Sequence, residues 1–305
     1  MISLVIPSYN NLRHLKNAYK SVRKYYNHKV ELILIDDGSD DGTFEWLSSL
    51  EDPKLIFWRE EKRLGHTILY DKGIEKSTND IVGILHADMY IAPNYIENLI
   101  KHLKKGKVVC ATRVEPPLHP PGKEKIIKDF GLDFDSLKID DFYTFSNEEI
   151  ERSRNKTTRG IFAPWIINKK DYQSIGGHDH NFAPFPYEDS DIFQRWILKG
   201  YELIQSRDAL VYHLTCRGHR WSKEIGKNDD EFKIFEEKAR KYYLKKWGSW
   251  IKNDELGYPI ISPVYNKKII IKNNNPQIQE ILDPWFNDGE DIIVEIDGNK
   301  FTQQD

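Results

Sequence analysis

Three short apolar runs in the first third of the sequence each end in polar residues that could bind a ligand. Ser8-Tyr9 follows the first run, Asp36-Asp37-Gly38-Ser39 the second, and His86-Ala87-Asp88 a later one. Carboxylates placed in this way can hold a divalent cation or accept hydrogen bonds from a ribose or a base. The second segment is equally typical of a turn in which an aspartate caps a helix, so both interpretations stay open for it.

A cluster of three acids, Glu188, Asp189 and Asp191, is a second source of chemistry. Acids at the start of a helix commonly stabilise the positive end of the helix dipole. One of them could instead project into a ligand cleft as a general base. At ~100° per helical residue, Asp189 and Asp191 lie about 200° apart, so these two cannot share one face.

A third segment runs from His213 to Trp221 and combines histidine, cysteine and arginine. A zinc site is a minor alternative, and its ligands would come from His213, Cys216, His219, His178 and His180. We favour an interpretation in which His213 follows a strand and is one metal ligand. Arg217 and His219, in a glycine-containing loop, would then be cationic partners for a diphosphate.

These segments need a scaffold that brings them together, and residues 1–110 alternate strand and helix patterns. That alternation predicts a mostly parallel sheet, in which ligands bind beyond the carboxyl ends of the strands. The expected strands are residues 2–6, 30–35, 55–58, 81–85 and 108–112. The expected helices are residues 12–26, 43–50, 66–76 and 93–104. The three polar segments would therefore meet at one edge of the sheet.

The pattern changes after residue 115. Residues 115–159 begin with four prolines and continue with charged residues and scattered aromatics, which predicts a long functional loop or insertion instead of a packed element. Beyond it we expect strands at 161–168 and 209–214, and helices near 169–175, from 188 and at 229–247. A β-hairpin is predicted at the end, with arms 292–296 and 300–302 around Asp297-Gly298.

The composition excludes several classes of protein. The 305 residues contain 45 Lys and Arg against 48 Asp and Glu, a net charge of −3, so we expect no nucleic-acid surface and no polybasic membrane arm. No apolar run approaches the ~20 residues of a membrane span. Two cysteines are too few for a disulfide framework. We therefore expect a soluble, cytoplasmic protein in a reducing compartment, with a strand and not a signal peptide at its N-terminus.

Four motifs occur in one order along the chain. They are Val5-Ile6-Pro7-Ser8-Tyr9-Asn10, Leu34-Ile35-Asp36-Asp37-Gly38-Ser39 with Asp41-Gly42-Thr43, His86-Ala87-Asp88, and Gly176-Gly177 ahead of Glu188-Asp189. In this combination the sequence resembles the family 2 glycosyltransferases of the GT-A fold over roughly residues 1–215. The resemblance implies an α/β fold with a GT-A (Rossmann-like), mostly parallel central sheet flanked by helices. The tail would add a helical and β-hairpin extension.

The reaction that the resemblance implies is an inverting transfer of one sugar from a nucleotide-diphosphate sugar to an acceptor hydroxyl, usually helped by Mn²⁺ or Mg²⁺. A metal neutralises charge on the leaving diphosphate while a base deprotonates the acceptor, so no covalent intermediate is needed. A UDP-sugar is the preferred donor, with GDP- and dTDP-sugars as alternatives, and the acceptor hydroxyl is expected on a glycan.

Matched by position, the resemblance also implies roles for individual residues. Pro7, Tyr9 and Asp37 would hold the base, and Asp36 would lie at the nucleoside end. Asp88 would bind the metal, with His213 as the second protein ligand. Asp189 would be the catalytic base, with Glu188 beside it. The remaining donor-site residues would be Arg63, Gly65, His86 and Ala87.

The sequence departs from the family pattern at several positions. His86 stands where the first aspartate of Asp-x-Asp is usual, and we expect it to face the ribose or sugar more than the metal. Arg63 and Asp71 replace common asparagines, whereas Gly65 keeps the family spacing. Gln194-Arg195-Trp196 lacks the spacing of processive synthases, so a non-processive enzyme is expected.

Four aromatic residues could stack on a sugar. Trp165 and Tyr187 are the better candidates because they flank the motifs, whereas core packing is favoured for Phe185 and Trp221.

The expected organisation is a nucleotide-sugar-binding half at 1–110, an acceptor-binding and catalytic half at 111–225, and a C-terminal extension at 226–305. The insertion 115–159 would recognise the acceptor. The alternative is a non-catalytic nucleotide- or glycan-binding module with a degenerate site, and His86 is the only feature that favours it.

Overall fold

The structure is a computed structural model that describes residues 1–27, 29–133, 135–215, 221–222, 227–228, 230–262, 294–296 and 299–301. Ten strands form its central sheet: β1 (Ile2–Ser8), β2 (Val30–Asp36), β3 (Leu55–Arg59), β4 (Ile81–Ile84), β5 (Met89–Ile91), β6 (Lys107–Glu115), β7 (Lys125–Ile127), β8 (Thr157–Arg159), β9 (Trp165–Asn168) and β10 (Glu202–His213). The strand order is β3-β2-β1-β4-β9-β6-β10-β5, with β7 paired to β6 and β8 to β10.

Helices cover both faces of this sheet. Those in the described residues are α1 (Leu12–Tyr26), α2 (Thr43–Ser48), α3 (His66–Lys76), α4 (Tyr95–Ile100), α5 (Ile139–Arg152), α6 (Lys169–Ser174), α7 (Glu188–Leu198) and α8 (Asp230–Trp247). Two short antiparallel pairs follow the sheet, β11 (Trp221–Ser222) with β12 (Lys227–Asn228) and β13 (Val294–Ile296) with β14 (Asn299–Phe301). Among the described helices, none is long and apolar enough to cross a membrane.

The sheet is mostly parallel and its main strands end at one edge. Strands β1 to β4 are parallel to one another, and β6 is parallel to β10. Strand β9 runs antiparallel to both β4 and β6, so β4 and β6 point in the same direction. The carboxyl ends of β1, β2, β4, β6 and β10 therefore lie on the same side of the molecule, which is where open α/β sheets bind ligands.

Buried strands divide the core into two layers. Every residue of β2 is buried, as expected for a parallel strand covered on both faces. Along β1, Leu4 and Ile6 pack in the layer under α1, whereas Val5 packs in the opposite layer with Leu69 of α3. This alternation follows the two-residue period of a strand.

Strand β10 contains an irregularity between Gln205 and Leu210. Gln205 pairs with Cys110 of β6, yet Leu210 pairs with Thr112, so five residues along β10 correspond to two along β6. Beyond it the register is regular again and pairs Tyr212 with Val114. Glu115 and His213, at the ends of the two strands, thereby become neighbours.

The structure confirms the predicted α/β class and the alternating elements of residues 1–110, with shifts at their ends. Strand β6 continues to Glu115, three residues beyond the prediction, and the short strand β5 was not predicted. Later in the chain, β9 begins at Trp165 and β10 already at Glu202. The predicted hairpin is present as β13 and β14, whereas its turn, Asp297-Gly298, lies outside the described residues.

The expectation that residues 115–159 form no packed element is wrong. Helix α5 lies within them and buries Phe142 and Ile150 against Phe130 and Tyr212. The apolar residues of this helix recur at helical spacing, but the prolines and charges around them obscured the pattern.

Helix α8, in the predicted C-terminal extension, packs against the region that precedes α7. Tyr243 and Ala239 form a small apolar cluster with Phe182. Lys246 also lies 2.7 Å from a carboxylate oxygen of Asp191 in α7. The described part of the extension is thus attached to the same body as the sheet, and the domain limits at 110 and 225 remain a prediction.

Candidate active site

A cleft of about 440 Å³ lies at the carboxyl edge of the sheet. Its walls come from the ends of β1, β2, β6 and β10, from the turn after β4, and from the first turns of α3 and α7. Among its lining residues are the predicted Pro7, Tyr9, Asp37, Arg63, Gly65, His86, Ala87, Asp88, Glu188, Asp189 and His213. The strand topology thus brings together residues that are far apart in the sequence.

Asp36 is the predicted residue that does not line this cleft. Its side chain is fully buried, and Oδ1 accepts a hydrogen bond from the backbone N–H of Ser39 at 2.9 Å. Its Oδ2 lies 3.6 Å from Nε of Arg59. Asp36 therefore stabilises the turn after β2, as in the turn interpretation of the segment, and its place at the nucleoside end stays a prediction.

The neighbouring Asp37 points to the other side of the turn and shapes one end of the cleft. Its two carboxylate oxygens accept hydrogen bonds from the backbone N–H groups of Leu64 at 2.7 Å and Gly65 at 2.9 Å. Burial raises the pKa of this carboxyl above its ordinary value, although the two N–H groups oppose that shift. Asp37 therefore fixes the loop before α3 as well as lining the cleft.

Gly65 is required by a close approach of two loops. It has a φ of +89°, and a Cβ atom there would lie 2.2 Å from Cα of Pro184. Only glycine combines that conformation with that contact.

An aromatic sandwich lies at the same end. The guanidinium of Arg63 sits 4.2 Å from the ring centre of Tyr9 and 5.2 Å from that of Phe185. Its Nη1 atom also donates to Glu231 of α8 at 2.7 Å. Tyr9 and Arg63 thus offer flat surfaces of the kind on which a nucleobase stacks.

Three side chains in the middle of the cleft could hold a metal ion. One donor atom each from His86, Asp88 and His213 lies within 4.8 Å of the other two, and Nε2 of His213 is 3.8 Å from Oδ2 of Asp88. Atoms that share one ion at ~2.1 Å lie at most about 4.2 Å apart, so this pair fits a divalent cation. The sequence analysis predicts that His86 faces the ribose or sugar, whereas the structure places it beside the candidate ligands Asp88 and His213.

Backbone geometry fixes two of these ligands relative to each other. The backbone N–H of Leu214 donates to the carbonyl of Asp88 at 3.2 Å, which joins the end of β10 to the turn after β4. The position of His213 against Asp88 is therefore set by the sheet edge and not by flexible side chains alone.

Glu115 is a site residue that sequence reasoning missed. It is buried at the end of β6, and its Oε1 lies 3.0 Å from Nδ1 of His213 and 2.7 Å from Nη1 of Arg113. Its Oε2 lies 3.2 Å from Nζ of Lys125. Burial alone would raise the pKa of Glu115, but the hydrogen bond from His213 and the charges of Arg113 and Lys125 hold it well below its usual range. An ionised Glu115 accepts the Nδ1–H of His213 and so leaves Nε2 to face Asp88.

The acids of α7 separate into different environments. Oε1 of Glu188 lies 2.6 Å from Nε2 of His66, while its buried Oε2 has no hydrogen-bond partner in the described part of the chain. Burial would raise the pKa of Glu188, but His66 lowers it below its ordinary value. The N-cap position of α7 is occupied by Tyr187, so Glu188 is the first residue of the helix itself. His66 also lines the cleft, and no motif had indicated it.

Asp189 faces the cleft with a high proton affinity. Its Oδ1 accepts a hydrogen bond from the backbone N–H of Ser190 at 2.6 Å. Burial, followed by the negative charge of Glu188, raises the pKa of Asp189 to about 6. A carboxylate with that pKa can accept a proton near neutral pH.

Asp191 is fully buried and belongs to the structural framework. Its carboxylate accepts from Nε of Arg195 at 2.7 Å and from Nε1 of Trp247 at 3.0 Å, and it pairs with Lys246. The two aspartates of α7 thus point in different directions, as the helical spacing predicted.

Two histidines considered for a zinc site are already engaged elsewhere. Nδ1 of His178 lies 3.0 Å and Nε2 of His180 lies 2.8 Å from the carboxylate of Asp71. Cys216, Arg217 and His219, which completed the zinc and diphosphate hypotheses, lie outside the described residues.

The aromatic residues considered for sugar stacking fall into two groups, one in the core and one in the cleft. Trp165 is fully buried against Trp196, with ring centres 5.1 Å apart, so it is a core residue and not a sugar platform. Tyr187 and Phe185 both line the cleft. The side chain of Trp221 lies outside the described residues.

One known family matches more than half of the chain. Residues 3–174 match the family model described as glycosyl transferase family 2. The chain belongs to this family. That match includes the ends of β1, β2, β4 and β6, but stops before the acids of α7 and before His213.

Curated relatives of this glycosyltransferase match over shorter stretches. An uncharacterised glycosyltransferase of Mycobacterium tuberculosis is 33% identical over 110 residues, which cover 35% of this chain and 42% of the relative. A dolichol-phosphate mannosyltransferase of Pyrococcus furiosus is 28% identical over 113 residues, covering 36% and 32%. The alignments thus span 42% and 32% of these two relatives, less than half of each.

Solved glycosyltransferase structures share the fold. The structure of GalNAc-T7 with UDP, GalNAc and Mn²⁺ matches with a TM-score of 0.53 at 16% identity, over 70% of this chain and 43% of that one. The mannosyltransferase PcManGT of Pyrobaculum calidifontis, in complex with GDP-Man and Mn²⁺, matches with a TM-score of 0.50 at 19% identity, over 80% and 69%. At these identities the likeness shows the GT-A fold.

Proposed function

We propose that this glycosyltransferase transfers a single sugar, with inversion, from a nucleotide-diphosphate sugar to an acceptor hydroxyl. The observation that carries the proposal is that a base candidate, Asp189, and a group of metal ligands, His86, Asp88 and His213, line one cleft. The two sets come from different elements, one from the start of α7 and the other from the sheet edge. An acceptor and a leaving diphosphate could therefore be served by separate groups within this cleft.

In this mechanism Asp189 takes the proton of the acceptor hydroxyl while the acceptor oxygen forms a bond to the anomeric carbon of the sugar. The bond from that carbon to the diphosphate oxygen breaks in the same step, so no residue needs to form a covalent intermediate. The pKa of about 6 leaves Asp189 mostly ionised at neutral pH yet still able to hold the proton. A divalent cation, Mn²⁺ or Mg²⁺ in the family pattern, would neutralise the charge that builds on the leaving diphosphate.

The chain's own residues would orient the two substrates. Tyr9 and Arg63 offer stacking surfaces for the base, and Asp37 fixes the loop against which the nucleoside would rest. The partly unpaired carboxylate of Glu188 could accept a hydrogen bond from a sugar hydroxyl. We propose that the wall formed by His119 and Lys125, from the insertion 115–159, contributes to recognition of a glycan acceptor.

A UDP-sugar is our preferred donor. GalNAc-T7 was solved with UDP, which supports this choice, and PcManGT was solved with GDP-Man, which makes a GDP-sugar the main alternative. Both neighbours hold Mn²⁺, which agrees with a metal-assisted reaction here.

A thermal-shift comparison of UDP, GDP and dTDP, each with and without Mn²⁺, tests the donor class. A ligand that binds only the folded protein raises its melting temperature by mass action, so UDP with Mn²⁺ should give the largest increase. Nucleotide release from the matching sugar donors then tests catalysis, including slow hydrolysis without acceptor. Binding without any turnover, in the presence of acceptor glycans, would favour a non-catalytic binding module.

A further inference from the structure

We propose that the metal centre of this glycosyltransferase favours a nitrogen-preferring divalent cation, such as Co²⁺, Zn²⁺ or Fe²⁺, over Mg²⁺, because His86 supplies it with a second imidazole. The inference rests on the metal-assisted transfer proposed above and concerns which ion that site accepts. It goes beyond the family pattern, in which an aspartate usually stands at the position of His86.

The geometry brings both imidazoles close enough for small side-chain adjustments to let them share one ion. The donor atoms of His86, Asp88 and His213 lie within 4.8 Å of one another, and the rings of His86 and His213 meet edge to face with centres 5.9 Å apart. Two histidines and one carboxylate form the same donor set as the facial triads that bind Fe²⁺. An ion held by these three residues could also bind a ligand in the cleft.

Neighbouring groups hold each imidazole in place. Glu115 accepts the Nδ1–H of His213, so its Nε2 lone pair faces Asp88. The ring of His86 stacks against two neighbouring rings, those of Tyr70 and His66, with ring centres 6.4 Å from both. Neither histidine can leave the site without disturbing packed rings or a buried hydrogen bond.

This donor set suits some cations better than others. Mg²⁺ prefers oxygen ligands, demands near-octahedral geometry and gives up its water reluctantly. Imidazole suits Zn²⁺, Fe²⁺ and the other later divalent metals, whereas carboxylate, carbonyl and water oxygens suit Mg²⁺ and Mn²⁺. Asp88 is the single carboxylate of the triad, so a hard cation loses one of the two charged oxygens that an Asp-x-Asp sequence would offer it. The site therefore discriminates against Mg²⁺ most strongly and against Mn²⁺ to a smaller degree.

The test uses the full chain, stripped of metal, and measures dissociation constants for Mg²⁺, Mn²⁺, Co²⁺ and Zn²⁺ alone by calorimetry. Every nitrogen and oxygen site binds Co²⁺ more tightly than Mn²⁺ to some degree, so the order in the wild type decides nothing by itself. The decisive quantity is the ratio of the Mg²⁺ to the Co²⁺ dissociation constant in the wild type against His86→Asp. We expect this ratio to fall about tenfold or more when the imidazole becomes a carboxylate.

His86→Asn provides a second variant, which adds no charge and should weaken Co²⁺ binding more than Mg²⁺ binding. Pulsed electron paramagnetic resonance of bound Mn²⁺ should detect two imidazole nitrogens in the wild type and one in either variant. Circular dichroism verifies that each variant is folded, and Asp88→Ala serves as the control that should weaken every cation.

The outcomes separate the two proposals. An unchanged ratio in His86→Asp, unchanged Co²⁺ affinity in His86→Asn, or a single imidazole in the wild type would overturn the selectivity and leave metal-assisted transfer standing. A wild-type protein that binds none of the four cations, with or without UDP, would overturn the metal-assisted function itself.

Discussion

Two clusters in this chain contain the same residue types, one aspartate and two histidines, but the two aspartates differ in how many hydrogen bonds they accept. At the cleft, Asp88 lies close to both His86 and His213, and its carboxylate accepts no hydrogen bond from the described side chains. In the second cluster, Asp71 accepts from His178, His180 and the hydroxyl of Tyr172, and also from the backbone N–H of His178.

The difference lies in how many donor and acceptor atoms are already occupied. The hydrogen bonds of Asp71 tie α3 to α6 and to the loop before α7, and Gly177 permits them because a Cβ there would lie 2.7 Å from an oxygen of Asp71. In the cleft, by contrast, Nε2 of His213 only approaches the carboxylate of Asp88, at 3.8 Å. A similar contrast separates Asp189 from Asp191 on α7. A composition of acids and histidines therefore indicates a ligand site only where the carboxylate is not already saturated by hydrogen bonds.

The largest effect should separate the two aspartates of α7. Asp189→Asn should keep nucleotide and metal binding and lower turnover by about 10²–10⁴, the range for loss of a general base. Asp191→Asn should leave the turnover of folded protein nearly unchanged, but lower the free energy of unfolding by about 3–5 kcal/mol because Arg195 and Lys246 lose their buried partner. Steady-state nucleotide release and thermal denaturation measure the two effects. Normal turnover in Asp189→Asn with collapse in Glu188→Gln would assign the base to Glu188 instead.

Replacement of the two histidine-bound aspartates compares the clusters directly. Asp88→Ala should abolish the metal-dependent part of UDP binding while the protein stays folded, because the only carboxylate of the triad is lost. Asp71→Asn should bind UDP and Mn²⁺ normally and instead lose about 1–3 kcal/mol of stability, because a charged acceptor of several hydrogen bonds becomes neutral. Calorimetry with UDP and Mn²⁺ checks the binding. Unchanged affinity in Asp88→Ala would contradict its assignment as a metal ligand.

Glu115 connects the two kinds of environment. Its carboxylate is fully hydrogen-bonded, but one of its partners is His213, a candidate metal ligand. Glu115→Ala should weaken Mn²⁺ binding about 10–100-fold because His213 loses the acceptor that orients it, and Glu115→Gln should lose less. Glu124→Gln is the matched control, since Glu124 approaches Lys125 at 3.9 Å without lining the cleft. Equal Mn²⁺ affinity in the wild type and Glu115→Ala would show that His213 needs no such support.

The pH dependence of turnover tests the environment of Asp189. Because its pKa is raised to about 6, the carboxylate is protonated below that pH and cannot accept a proton. At saturating donor and metal, turnover should therefore fall about tenfold per pH unit below ~6. Glu188→Gln removes a neighbouring negative charge and should therefore shift this acidic fall in turnover to lower pH. A fall in turnover at the same pH in Glu188→Gln would mean that a group other than Asp189 controls it.

The smallest effect is expected at the turn after β2. Asp37→Asn should weaken nucleotide binding severalfold even without metal, about 1–2 kcal/mol, because the loop at Leu64 and Gly65 loses a charged acceptor. Asp36→Asn should lower stability and leave the affinity of the folded protein for UDP unchanged. Calorimetry without metal tests both variants. A loss in Asp37→Asn that occurs only with Mn²⁺ would contradict a role at the nucleoside.

These contrasts also explain how far the sequence could predict the molecule. Strands β1 and β2 were predictable because burial on both faces makes them continuous apolar runs that end in polar residues. The motifs also indicated the cleft, but not which of two adjacent aspartates enters it, since neighbouring residues after a strand point in opposite directions.

What the sequence could not provide is proximity across the sheet. Glu115 and His213 are distant in the sequence and meet only through the register of β6 and β10. His66 meets Glu188 only because α3 and α7 begin at the same cleft. Helix α5 was missed for a simpler reason, since its apolar spacing is surrounded by prolines and charges.

The irregularity in β10 limits which insertions and deletions the segment between Gln205 and Leu210 can accept. Five residues of β10 correspond to two of β6 there, an odd excess of three, so the side chains beyond it face the opposite way from those of an uninterrupted strand. One residue lost or gained between Gln205 and Leu210 would turn His213 away from Asp88, whereas a change of two would keep it in place. The chemistry of the cleft thus depends on whether a remote segment has an odd or an even number of residues, and insertions or deletions there are expected to be tolerated only in pairs.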